Sequence, residues 1–124
     1  MKKIAIALSA FALFTAGLGI GANSFSAPPT ILHVITVQWK ADSTPRQQHA
    51  AIDGIRTMAA GVPGLKTIWV KTVKAQPADY NATVAMEFES KAAFEAYTNN
   101  PAHKNWEKLY LPLREESHTQ DVTN

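Results

Sequence analysis

The chain has 124 residues, no cysteine and a formal net charge of +2 at pH 7. The missing thiols exclude disulfides, thiol redox chemistry and thiolate metal sites. Lys2 and Lys3 account for the whole charge excess, so the remainder is balanced and lacks the basic footprint of a nucleic-acid or anionic-membrane binder.

Lys2 and Lys3 open a short basic region, Ile4 to Ile20 is apolar with small residues, and Ser24-Phe25-Ser26 places small residues where a signal peptidase reads. The segment 1–26 is expected to be a bacterial Sec-type signal peptide, cut near Ser26–Ala27, with the periplasm or the exterior as destination. Its apolar run lies at the short end of the roughly 17–25 residues that span a bilayer, so no membrane association is expected after cleavage. Residues 27–124 are enough for one small domain, which would gain burial by forming a homodimer.

From Ile31 to Lys40 the chain alternates. Ile31, His33, Ile35, Val37 and Trp39 share one face, and Leu32, Val34, Thr36 and Gln38 the other, which predicts a strand. Thr44-Pro45-Arg46-Gln47 matches a capping box, and the helix it opens carries Ala51, Ile52, Ile55, Met58 and Ala59 at helical spacing until Gly61-Val62-Pro63-Gly64 stops it. Leu65 to Val73 is a second β-rich run, followed by a loop over Ala75–Asp79. Tyr80 to Glu89 reads as a third strand with Ala82, Val84, Met86 and Phe88 inward.

Ser90 is the cap of a short helix through about Thr98, with Phe94 and Tyr97 on its apolar side. Asn100-Pro101 starts another, with Asn as N-cap and Pro at the first helical position, and Trp106, Leu109, Tyr110 and Leu113 form its stripe. Ser117 to Asn124 would be a weak final strand. The order predicts an α+β fold, the ferredoxin-like βαββαβ plan with helices on one sheet face. The other face, where Leu32, Val34 and Val70 are expected, calls for cover by a second copy.

His103 falls at the third helical position after Asn100. There the positive end of the helix dipole disfavours imidazolium, leaving a neutral imidazole that can serve as base or acceptor. It can equally be a capping residue. His33, on an apolar strand face, is either a buried, hydrogen-bonded core histidine or a cavity group. The four histidines lack metal-ligand spacing, so neither a metal nor another cofactor is expected. No nucleophile elbow or phosphate loop is present.

Taken in order, Leu32-His33-Val34, Val62-Pro63-Gly64-Leu65, Trp69, Phe88-Glu89-Ser90, Phe94-Glu95-Ala96-Tyr97, Pro101-Ala102-His103 and Leu111-Pro112-Leu113 resemble the stress-responsive dimeric α/β-barrel (Dabb) family. The resemblance implies a homodimer whose sheets face each other as a barrel, each protomer keeping a cavity between sheet and helices. The best understood members resemble olivetolic acid cyclase, which closes a polyketide by aldol condensation without a cofactor. Its acid/base histidine and supporting tyrosine correspond to His103 and Tyr97, and a first-strand cavity histidine to His33. Another cavity histidine is replaced by Ala82, and first-helix aromatics by Ala51, Ile52 and Ile55. The polar run Ser117–Val122 also departs from the family's apolar last strand, which implies a strand prone to fray.

On this plan His33, Ile35, Val37, Ile52, Ile55, Val84 and Trp106 are expected to contact a ligand. The leading expectation is a module that binds a small apolar or aromatic molecule. One alternative is a cofactor-independent cyclase or lyase in which His103 moves a proton and Tyr97 orients the substrate. Another is the monooxygenase-like activity of related dimeric α+β barrels, and a last one is a purely structural stress protein. The missing histidine at Ala82 and the expected export both favour binding.

Overall fold

The computed structural model describes residues 24–124; nearly all of the expected signal segment lies outside them. The elements are β1 (Ile31–Trp39), α1 (Pro45–Ala60), β2 (Leu65–Trp69), β3 (Ala82–Phe88), α2 (Lys91–Tyr97), α3 (Pro101–Tyr110), a 3-10 turn (Leu111–Leu113) and β4 (Arg114–Val122). The strands form one antiparallel sheet in the order β2-β3-β1-β4, the ferredoxin-like α+β arrangement expected.

Local chemistry sets the helix starts. The Thr44 backbone N–H donates to the Gln47 side chain at 2.8 Å and the Thr44 hydroxyl accepts from the Gln47 N–H, which completes the capping box. Ser90 accepts from the Ala93 N–H and Asn100 from the Ala102 N–H, satisfying amides that the first turns leave free. Between α1 and β2 the turn depends on Gly64, whose φ is +79° and whose added Cβ would lie 2.5 Å from the Ala93 Cβ. A side chain there would be strained and would push α2 away.

Strand alternation then builds the core. His33, Ile35, Val37 and Trp39 of β1 and Ala82, Val84, Met86 and Phe88 of β3 are all buried beneath the helices. Ala51, Ile55 and Met58 of α1, Tyr97 of α2, and Trp106 and Tyr110 of α3 cover them. The Trp106 indole N–H donates to the Ala51 carbonyl at 2.8 Å. That bond ties α3 to α1 and satisfies the indole where water cannot reach it.

Two expectations are corrected. Val70 packs against the core instead of the outer face. A register shift between Leu65 and Thr67 inserts one residue into β2, and such a bulge moves each later side chain to the opposite face. Ile68 and Val70 thus turn inward, while Trp69 faces out and is 50% exposed. The last strand starts at Arg114, earlier than expected, and pairs with β1 from Leu32↔Val122 to Trp39↔Arg114. Its start is held by the Lys40 N–H donating to the Leu113 carbonyl at 2.8 Å.

Among the described residues nothing covers the outer sheet face. Leu32, Val34 and Ala85 lie there between Trp69 and Val122, the latter 52% exposed. Beside them Thr30 and Thr67 both donate to the Glu87 carboxylate. These two bonds, Thr67's the stronger, hold its pKa below the usual carboxylate value.

Candidate functional site

A cavity of about 190 Å³ opens between α3, the end of α2 and the β1–β4 edge of the sheet. Among the described residues no helix lies over β4, whose residues are mostly exposed, so the cavity communicates with solvent along that strand. His33, Ile35, Tyr97, His103, Trp106 and Tyr110 form its deeper wall, and Glu107, Arg114, Ser117 and Thr119 its polar side.

β1 delivers His33 inward, where the rings of Phe94, Tyr97 and Phe88 surround it at centroid distances of 5.4, 5.7 and 6.5 Å. Its Nδ1 lies 2.5 Å from Oδ1 of Asp121, the residue opposite it in the β1–β4 register. An ionised carboxylate can only accept, so Nδ1 carries the proton. In the neutral ring Nε2 is then the acceptor.

His103 occupies the first turn of α3, and its Nδ1 lies 3.2 Å from the Thr98 carbonyl. The carbonyl likewise fixes the proton on Nδ1, leaving Nε2 as the free nitrogen, 3.7 Å from Glu107 Oε1. The His103 and Tyr97 rings are 4.0 Å apart. Burial pushes the imidazole pKa below its usual value of 6.5, outweighing the opposite pull of the Thr98 carbonyl and of Glu107. The neutral form expected from the sequence thus has desolvation as its main cause.

Tyr97 and Tyr110 complete the chamber. Among the described residues both hydroxyls are buried without a hydrogen-bond partner, in residues only 3% and 5% exposed. Burial, with the Glu107 charge adding to it, raises the Tyr97 pKa well above the ordinary phenol value, so the group stays a proton donor. The Tyr110 ring stacks on Trp106 at 4.6 Å and 8°, with the Arg114 guanidinium 5.7 Å from its centroid. An orphaned buried hydroxyl costs about 1–3 kcal/mol.

Of the residues expected to contact a ligand, the cavity brings together His33, Ile35 and Trp106, joined by Tyr97 and His103. Val37, Ile55 and Val84 lie instead in close-packed core, at 1%, 0% and 2% exposure. α1 seats directly on these three side chains and leaves no room for a guest among them. Ile52 lines a different cavity, beside Trp39 and Arg56.

Sequence reasoning missed Glu107, Tyr110, Arg114, Ser117, Thr119 and Asp121. Glu107 and Tyr110 follow His103 at helical spacing on one face, a signal present in the sequence. Ser117, Thr119 and Asp121 alternate through the last strand, and their polarity concealed their inward orientation. Among the described residues no group of three His, Asp or Glu side chains could hold a metal ion.

A family model described as the stress responsive A/B barrel domain, Dabb, matches residues 31–124. Solved structures share the fold. An Arabidopsis thaliana protein is 24% identical with a TM-score of 0.62, covering 76% of this chain and 94% of that one. A dimeric ferredoxin-like protein of unknown function from Thermobifida fusca is 20% identical with a TM-score of 0.62, covering 82% and 97%. A hydroxynitrile lyase from Passiflora edulis is 20% identical with a TM-score of 0.62, covering 77% and 94%. No curated protein matches the chain.

Proposed function

The chain belongs to the stress-responsive A/B barrel (Dabb) family, and on that premise we propose that it is an exported, homodimeric protein that binds a small aromatic or apolar molecule between His33, Tyr97 and His103. The observation that carries this reading is the solvent-connected chamber whose wall is formed by His33, Tyr97, His103, Trp106 and Tyr110, with the Tyr97 and Tyr110 hydroxyls buried and unpartnered within that wall. A stacked Trp106–Tyr110 pair and the aromatic cluster around His33 supply the apolar wall. The volume of about 190 Å³ is below the roughly 300–1,000 Å³ of sites for drug-sized ligands. The guest is therefore small.

Export is supported by the Lys2-Lys3 region, the apolar run to Ile20 and the Ser24-Phe25-Ser26 site. Dimerisation is supported by the uncovered outer face around Leu32, Val34 and Trp69, and the Thermobifida fusca neighbour is described as dimeric. Native mass spectrometry of protein recovered from a bacterial periplasm tests all three points. The expected species is a dimer of chains starting near Ala27, with a small-molecule mass that Tyr97→Phe/Tyr110→Phe no longer retains. A full-length monomer with no retained mass would overturn the reading.

A second reading, cofactor-free proton transfer, is favoured by His103, a neutral imidazole with Nδ1 held by a carbonyl, Nε2 3.7 Å from Glu107 Oε1 and its ring packed against Tyr97. One neighbour of the same fold is a hydroxynitrile lyase. Deuterium uptake at the α-carbon of a small aryl ketone in D2O, followed by NMR, tests it. Uptake accelerated by the protein and lost in His103→Gln supports this reading; equal uptake with and without protein sinks it.

A further inference from the structure

A second cavity, of about 430 Å³, lies on the other side of the helix layer, between α1, the end of β1 and the start of β3. The function proposed above does not use it. Its floor is Trp39, Ile52, Val70 and Ala82, side chains that otherwise belong to the core or pack against it. Ala82, where the family resemblance leads one to expect a histidine, has only a methyl group to put into this space. The bulge in β2 contributes too, because it turns Val70 inward to complete the apolar floor.

The rim has a different chemistry. His49, Ile52, Asp53 and Arg56 are spaced i, i+3, i+4 and i+7 along α1, which places them on one helix face, and all four line the cavity. Lys71, after β2, lines it from across the opening. Neither Arg56 nor Lys71 forms an ion pair among the described residues. Two unpaired cations against the single carboxylate of Asp53 leave one net positive charge over an apolar, aromatic floor.

We propose that this cavity is a binding site for an amphipathic monocarboxylate, its carboxylate held by Arg56 and Lys71 and its apolar body laid on Trp39, Ile52 and Val70. The volume lies within the range of small-molecule sites. A guanidinium presents a planar fork of donors that matches a carboxylate. One net charge suits one carboxylate, whereas a phosphate dianion would meet Asp53 without compensation.

The three tryptophans provide the test, because each borders a different cavity. Trp39 lines this one, Trp106 the histidine chamber and a groove between α1 and α3 beside Gly54 and Leu109, and Trp69 the outer sheet face with Leu32 and Val122. The 15N-labelled protein is titrated with octanoate and with 4-propylbenzoate, and the indole N–H resonances are followed by NMR. With either probe, the expected result is a shift of the Trp39 resonance, with affinity about tenfold weaker in Arg56→Gln/Lys71→Gln. 1-Octanol should bind both forms alike. Both substituted side chains are exposed, so the fold is retained. Movement of Trp106 or Trp69 in place of Trp39, unchanged affinity in the variant, or no shift with either probe would overturn the proposal. Apart from movement of Trp106, which lines the histidine chamber, these outcomes leave that chamber untouched, and the tyrosine variants test it independently.

Discussion

The two halves of the helix-covered sheet face are built on opposite terms. Under the middle of α1, Val37, Ile55, Val84 and Met86 are close-packed, and space opens only at the far end, beyond Trp39 and Ala82. Under α3, the sheet continues into β4, which no helix of the described residues covers, and polar side chains meet aromatic ones around a chamber. The strand pairing is continuous across both halves, so backbone geometry does not distinguish them. The difference lies in where helix cover stops. Close packing fixes the fold, and the uncovered edge creates room for a guest.

The sharpest way to break this contrast is to remove volume from each half. Ile55→Ala, at a fully buried position, is expected to cost about 2–5 kcal/mol in urea unfolding, whereas Thr119→Ala on the open wall should cost less than about 0.5 kcal/mol. Equal losses would show that the chamber is as tightly packed as the core.

Next in size are the orphaned hydroxyls. Tyr97→Phe or Tyr110→Phe removes a buried group that has no partner, so stability should rise by about 1 kcal/mol while guest binding weakens. A loss of stability instead would mean that the hydroxyls already bond to something in solution.

Asp121→Asn weakens the tie between β1 and β4. Its side chain is 43% exposed, so the pair is screened and the cost should stay below about 1 kcal/mol, with the His33 ring resonances shifting by NMR.

The smallest effect is in pH. His103 has its folded pKa lowered by burial, so its neutral form is the one the fold favours. That stability is fully present above the unfolded value of about 6.5 and is lost as pH falls below it, because the unfolded chain then binds the proton more tightly. Urea midpoints at pH 7.5 and 5.5 should differ more in the parent protein than in His103→Gln; equal differences would remove His103 as the source.

How much of this was legible depends on the signal each residue carries. β1 and β3 announced their faces because each alternates cleanly and is buried on one side. The caps at Thr44, Ser90 and Asn100 were readable because they are local chemistry. Val70 was misread because a bulge leaves no mark in residue types, and it reverses every face after it. Val37, Ile55 and Val84 were placed around a ligand because apolar core and apolar cavity have the same composition. Asp121 was passed over for the complementary reason. A polar edge strand looks weak until its register sets it opposite His33.

β4 has one more effect. It and β2 are the two outer strands of the sheet, and outer strands offer unpaired amides and carbonyls on which other chains can grow. β4 is long, Arg114–Val122, yet it carries Arg114, Glu115, Glu116 and Asp121; β2 spans five residues and carries Lys66. Desolvating those charges against a neighbouring strand is costly. The composition that makes β4 a wall for guests therefore also protects the protein from fibrous aggregation.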